Sequence, residues 1–306
     1  MKKNIGFIGL GAMGSGMVGM LLKNGYPVIC FDLNSEVIQA ATEKGAHAAE
    51  SPVAVGKASD IVITSLPSPQ IFQETILGKQ GVLKGLRPGA HIIDMSTIDP
   101  VTTRTVHEAA ASQGVRTLDA PVSGGPTRAA EGTLAIMVGG DTEDYKACLE
   151  IFNVLGSNVF HVGPIGAGQT VKVCNNALCA VHTVVLGEVL LTGVEAGVDP
   201  KVLLDVFRES SGNCYMIEHR FPKTVLQDNY DQPSFSMDLM KKDVGLYMKT
   251  AQDMKIPSIM SSAAYQVYTA GQSSGKGQKD HTAVVQVIEE MAGKKIGGGL
   301  KKECSG

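Results

Sequence analysis

Gly9-Leu10-Gly11-Ala12-Met13-Gly14 follows directly on an apolar run, Ile5-Gly6-Phe7-Ile8, and opens a segment of helical character from Met17 to Leu22. A second apolar run, Val28-Ile29-Cys30-Phe31, ends in Asp32. Strand, glycine turn, helix, strand and terminal acid are the parts of a dinucleotide-binding unit. Gly9 frees the backbone to turn out of the strand, Gly11 leaves room for a pyrophosphate, and Gly14 lets the helix pack on the sheet. The N–H groups of the first helical turn then face the phosphates, where the helix dipole favours negative charge. Asp32 is placed to accept hydrogen bonds from both hydroxyls of an adenosine ribose. Its charge repels a 2′-phosphate, and Leu33-Asn34-Ser35 supplies no basic residue to offset that. These residues point to NAD rather than NADP. In a chain with 36 glycines a bare GxGxxG is weak; the flanking strands and the acid make it specific.

Lys172 and Asn176 lie one helical turn apart and share a face. A lysine poised near neutrality can pass a proton to or from a hydroxyl, and an asparagine can hold the reacting group in place. Such a pair is equally compatible with a solvated helix face, although Cys174, Ala177, Leu178 and Cys179 around it are small or apolar. Asp119-Ala120-Pro121-Val122-Ser123-Gly124-Gly125-Pro126 closes a strand in a rigid, then permissive loop. There Ser123 offers a hydroxyl, and Gly124 and Gly125 expose N–H groups able to hold a small carboxylate. Alone, this loop also reads as an ordinary Pro/Gly turn, and Lys242-Asp243 reads as solvated charge. The seven histidines are scattered, with no serine/acid partner and no second histidine at ligand spacing, so neither a hydrolase triad nor a metal site is expected.

The elements that must position these groups alternate in type. Apolar runs at 61–66, 91–95, 117–120, 135–138 and 159–162 read as strands separated by helical stretches. They imply a doubly wound, mostly parallel sheet covered on both faces. Ligands of such sheets lie at the carboxyl ends of the strands, near Leu66-Pro67, Ser96-Thr97 and the loop after Ala120. After the glycine-rich turn at 163–168 the pattern changes. One long helix is expected from about Gln169 to Ala196, ended by Gly197, with Asp199-Pro200 starting the next. Further amphipathic runs follow without a convincing strand, so the expected domains are 1–163, α/β, and 164–306, all-helical. The tail from Gly297 is expected to fray.

Composition bounds the partners. The 306 residues are 43% hydrophobic and 19% charged, enough apolar surface for a core and unlike a disordered chain. A net charge of −3, no Trp and 5% aromatics argue against nucleic acid as a partner. The six cysteines are widely spaced, which suits reduced thiols better than disulfides or zinc. Residues 177–191, the most apolar segment, contain His182 and Glu188 and are too short to span a bilayer. A signal peptide before the first strand is not expected, and a cytoplasmic protein with no membrane partner is.

Together these segments resemble the β-hydroxyacid dehydrogenase family. Its opening signature matches Phe7 to Met17, its substrate loop Asp119 to Gly125, its catalytic GxGxxxKxxxN helix Gly166 to Asn176, and its late KDxxL segment Lys242 to Leu246. Four motifs in order across residues 7 to 246 are specific. The resemblance implies a Rossmann domain, a long interdomain helix and a helical domain that builds a homodimer or homotetramer. It implies Lys172 as general acid/base, Asn176 as substrate-orienting residue with Asn175 beside it, and a substrate carboxylate on Ser123, Gly124 and Gly125. Cofactor contacts are implied for the Gly9–Gly14 turn, Asp32, Leu66, Pro67, Thr97, Lys242 and Asp243, with Lys242 also closing over the substrate. The small-molecule substrate implied first is 3-hydroxyisobutyrate, oxidised with NAD. Tartronate semialdehyde/glycerate and 2-(hydroxymethyl)glutarate stay open, and Arg128 or Arg220 could serve a second acidic group. A 6-phosphogluconate-type enzyme should be longer and carry clustered basic residues. A dinucleotide-binding module without turnover is the non-enzyme alternative, and it is disfavoured by Lys172 and Asn176.

Overall fold

The computed structural model describes residues 2–297; the expected fraying beyond Gly297, with Cys304, lies outside the described residues. The chain divides into two compact units, Met1–Val173 and Cys174–Gly306.

The first unit is built on a sheet of β1 (Ile5–Ile8), β2 (Val28–Phe31), β3 (His47–Ala48), β4 (Ile61–Thr64), β5 (His91–Asp94), β6 (Arg116–Asp119), β7 (Val122–Ser123), β8 (Leu134–Gly139) and β9 (Gly156–Gly163). Strands β3-β2-β1-β4-β5-β6 run parallel in that order, with Ile5 paired to Val28 on one side and Ile61 on the other. This is the doubly wound order, with a switch of direction beside β1. Helices α1 (Ala12–Lys23), α2 (Ser35–Glu43), α3 (Pro52–Ala58), α4 (Pro69–Leu77), α5 (Pro100–Ala111), α6 (Gly125–Glu131) and α7 (Thr142–Leu155) connect the strands. Asn34, Ser51, Ser68, Asp99 and Asp141 cap the starts of α2, α3, α4, α5 and α7, and proline follows at the first turn of α3, α4 and α5.

Alternation along the strands splits the core between the two faces. Ile5, Phe7, Ile61, Ile63 and Ile93 pack with Met17, Leu21 and Phe152; Ile8, Val62 and Ile92 pack with Phe72, Ile76 and Val106. Each fully buried aliphatic side chain contributes roughly 1.5–3 kcal/mol. The sheet departs from the expected pattern at one edge. β8 runs antiparallel to β6 and β7, and β9 returns parallel to β8. β3 and β7, two residues each, are too short to show an alternating period. Pro121 cannot donate, but its carbonyl accepts from Met137 N–H at 3.1 Å, which joins β7 to β8.

In the second unit, α8 (Ala167–Glu195), whose first residues belong to the first unit, is followed by α9 (Pro200–Arg208), α10 (Met237–Asp253), α11 (Ile259–Ser273) and α12 (Val284–Ala292). Among the described residues no strand follows β9; Ser236 and Asp280 form an isolated bridge. Asp199 caps α9 through Lys201 N–H at 2.7 Å. The alternation at 235–239 resolves as the start of α10, capped by Ser236. α8 is 29 residues long, in keeping with the helix expected from about Gln169 to Ala196; the segment at 177–191 is too short to span a bilayer, but the whole helix, by length and apolarity alone, could cross one. Half of its most apolar stretch is buried within the protein. A core of Leu190, Leu204, Phe221, Met237, Val244 and Tyr268, among others, fills this unit. The five described cysteines are free thiols.

Candidate active site

The glycine turn is shaped by its own backbone. Gly9 has φ +95, and a Cβ there would lie 2.2 Å from the Ser65 carbonyl oxygen. A Cβ on Gly14 would lie 1.9 Å from the Gly9 carbonyl oxygen, so only glycine lets α1 begin so close to β1. No atom lies within 4 Å of the corresponding position on Gly11, which is exposed and open to a ligand. α1 starts without a side-chain cap and without an acid in its first turn. Its N–H groups at Ala12, Met13 and Gly14 are therefore available to an anion. Asp32 closes β2 half-buried. Oδ2 accepts from Leu10 N–H at 2.6 Å and Oδ1 from Asn34 N–H at 2.9 Å. A carboxylate has about four lone-pair sites, so capacity for ribose hydroxyls remains. An open glycine cradle, an uncapped helix start and an acid tied to that cradle fit a nicotinamide dinucleotide.

The strand ends of β4 and β5 come together beside this turn. Leu66 N–H donates to Ser96 Oγ at 2.8 Å, so the two expected cofactor loops, Leu66-Pro67 and Ser96-Thr97, are cross-linked. Pro67 is exposed; Leu66 and Thr97 are half-buried. Beneath them lies Asp94, whose Oδ1 accepts from Thr64 Oγ1 at 2.8 Å and from Ser96 N–H at 3.1 Å. Burial outweighs these bonds and pushes its carboxyl up to about 6. Asp94 was not selected from the sequence; the signal was an acid closing an otherwise apolar strand.

At the end of β6, Asp119 is fully buried and accepts from Gly166 N–H at 2.7 Å and Gln169 N–H at 2.8 Å. Burial raises its carboxyl, against the pull of these N–H groups. Asp119 thus anchors the start of α8. The expected substrate loop follows. Ser123 is half-buried in β7, while Gly124 (φ +137) and Gly125 (φ +75) turn the chain into α6. Arg128 is exposed with its stem over Gly124, where a Cβ would lie 2.7 Å from Arg128 Cδ. Arg220, the other arginine considered for a second acid, is committed to buried Asp280. A cleft of about 880 Å³ lined by His107, Arg116, Asp144 and His161 lies beside β6, and its lining includes neither the glycine turn nor Asp32 nor the Gly124 loop.

α8 presents a buried stripe of Gln169, Lys172, Val173 and Asn176 and an exposed one of Val171, Cys174 and Leu178. Lys172 is only 7% exposed. Asn176 Nδ2 donates to Asp243 Oδ2 at 2.5 Å, and Asn175 Nδ2 donates to Asn176 Oδ1 at 3.1 Å. Lys242 Nζ lies 3.0 Å from Asp243 Oδ1. The structure therefore gathers Asn175, Asn176, Lys242 and Asp243 in the second unit. Asp243, expected at the cofactor, is 1% exposed, and its carboxylate is turned to Asn176 and Lys242. Gln169, which the sequence did not single out, is fully buried and bonded to the strand-end loops.

The strand order, the glycine cradle and the acid after β2 define a nicotinamide-dependent oxidoreductase. Residues 4–163 match the NAD binding domain of 6-phosphogluconate dehydrogenase, and residues 166–288 match a domain described as NAD-binding of NADP-dependent 3-hydroxyisobutyrate dehydrogenase. The chain is 38% identical to 2-(hydroxymethyl)glutarate dehydrogenase of Eubacterium barkeri, over 96% of this chain and 98% of that protein. It is 37% identical to mitochondrial 3-hydroxyisobutyrate dehydrogenase of Rattus norvegicus, over 94% and 88%. The solved structure of Mycobacterium tuberculosis 3-hydroxyisobutyrate dehydrogenase with L-serine superposes with TM-score 0.88 at 32% identity, over 94% of this chain and 99% of that one. The chain belongs to the β-hydroxyacid dehydrogenase family. It is a hydroxyacid dehydrogenase whose cofactor is a nicotinamide dinucleotide.

Proposed function

We propose that this enzyme oxidises 3-hydroxyisobutyrate to methylmalonate semialdehyde with NAD. The observation that carries the reading is Lys172, a buried lysine one helical turn from an asparagine held by an acid. Bound NAD supplies the hydride acceptor. Lys172 Nζ takes the hydroxyl proton as the substrate's C–H bond breaks, and returns it in reduction. The uncharged amine is the form that accepts this proton. Asn176 orients the hydroxyl, with Asn175 bracing it; Ser123 and the N–H groups of Gly124 and Gly125 hold the carboxylate. The Gly9–Gly14 turn, Asp32, Leu66, Pro67 and Thr97 hold the cofactor, and Lys242 closes over it.

Support for this substrate comes from the rat relative and the mycobacterial structure, both called 3-hydroxyisobutyrate dehydrogenase. A second reading, a hydroxymethyl diacid, is favoured by exposed Arg128 beside the Gly124 loop and by the name of the Eubacterium barkeri relative. NADH formation across 3-hydroxyisobutyrate, D- and L-glycerate and 2-(hydroxymethyl)glutarate, each with NAD and NADP, separates these readings. A preference for the monoacid with NAD supports the first; a preference for the diacid supports the second. Exposed Val171, Leu178, Val185 and Val189 along α8 suit a homo-oligomer, which light scattering checks.

A further inference from the structure

Gln169 does more than fill space at the start of α8. Its Nε2 donates to the Ser96 carbonyl oxygen at 2.9 Å and reaches Asp94 Oδ2 at 3.3 Å, while its Oε1 accepts from Ile98 N–H at 3.1 Å. Ser96 and Ile98 are the two neighbours of Thr97, so one side-chain amide grips the cofactor loop on both sides of its expected contact residue. The amide has one workable orientation. Reversed, it would set oxygen against oxygen at Ser96 and N–H against N–H at Ile98. The backbone N–H of the same residue is bound to Asp119 at 2.8 Å. A Cβ on neighbouring Gly168 would lie 2.3 Å from the Met137 carbonyl oxygen, so this turn of helix is seated directly on the strand ends. Lys172 lies one turn further along the same buried stripe.

We propose that Gln169 is a positioning residue for the reaction, locking the Ser96–Thr97 cofactor loop and the lysine-bearing turn of α8 into one rigid unit through Asp94. The inference rests on the role proposed for Lys172. A buried side chain that only filled volume would not satisfy a donor and an acceptor on either side of one loop residue. Beside the Asp119 bonds that anchor the helix start, this amide ties the cofactor loop itself to the turn before the lysine, and proton transfer depends on such spacing.

The test compares Gln169→Met, which keeps the volume, with Gln169→Glu, Asp94→Asn and the double variant Asp94→Asn/Gln169→Glu. Each is assayed for kcat and KM of the preferred hydroxy acid, for NAD affinity and for melting temperature. Gln169→Met is expected to lower kcat about 10- to 100-fold. The KM of the hydroxy acid should change little, and NAD affinity should fall a few-fold. Gln169→Glu sets two carboxylates together and should be worse; the double variant restores a carboxylate–amide pair and should recover part of the lost kcat. A Gln169→Met enzyme of lower melting temperature but unchanged kcat and NAD affinity would overturn the proposal, as would a double variant no better than Gln169→Glu. If the wild type turned over none of the hydroxy acids, the proposed function would fail separately. NAD affinity and the rate of acetic anhydride labelling at Lys172 would then decide the coupling, with unchanged values in Gln169→Met counting against it.

Discussion

Asn176 gives its amide nitrogen to Asp243 at 2.5 Å, and this bond decides which way the asparagine faces. With Nδ2 held by a buried carboxylate and Oδ1 accepting from Asn175, the amide cannot flip without losing both bonds. Asp243 also lies beside Lys242, so one acid organises two residues of the proposed site. It acts through its neighbours.

Asp243→Asn keeps the shape, removes the charge and lets the Asn176 amide turn. Losing a hydrogen bond to a charged group costs about 1.5–3 kcal/mol, equivalent to roughly a 10- to 100-fold fall in kcat/KM if it is felt in the transition state. Steady-state kinetics beside a melting curve check this. A variant that melts lower but turns over normally would make Asp243 a purely structural acid.

Asp32→Ala removes the acceptor for Leu10 N–H as well as the proposed ribose contact. NAD affinity should fall by about 10-fold or more, and the preference over NADP should shrink because the repelling charge is gone. Titrating both cofactors gives the ratio; an unchanged ratio would remove Asp32 from the ribose.

Arg128→Ala separates the two substrate readings. Its stem lies over Gly124, and on the diacid reading its guanidinium serves the second acidic group. If the diacid reading holds, kcat/KM for 2-(hydroxymethyl)glutarate should drop about 10-fold while 3-hydroxyisobutyrate is little changed. Equal effects on both acids would leave Arg128 without a part in discrimination.

Asp94 makes stability depend on pH. Its carboxyl is pushed up to about 6 by burial, above its unfolded value, so its protonated form favours folding. That stabilisation is present below the ordinary carboxylate range and is lost as pH rises through about 6, to a total of roughly 3 kcal/mol. Asp94→Asn does not titrate. The stability of the wild type relative to Asp94→Asn should therefore decline from pH 4 to pH 7 (about these values, spanning the shift). Urea midpoints at the two ends measure it, and a difference that is flat with pH would place the Asp94 carboxyl in its ordinary range.

Local geometry was legible in the sequence, and long-range pairing was not. The glycine turn, Asp32 and the shared face of Lys172 and Asn176 follow from turn geometry and helical spacing within a few residues. Asp199-Pro200 marked a helix start for the same reason. Gln169 was silent because its partner Ser96 is 73 residues away, across a sheet whose register no local pattern encodes. Arg220 looked available because Asp280, which takes it, lies 60 residues further on. β3 and β7 escaped because two residues carry no period, and the reversal at β8 because an apolar run does not state its direction.

Lys172→Ala asks whether this lysine carries the proton. NADH formation from the preferred hydroxy acid and NAD affinity should be measured on the wild type and the variant side by side. If it does, turnover falls about a hundredfold or more while NAD binding stays nearly intact. A Lys172→Ala enzyme that forms NADH at the wild-type rate would contradict it.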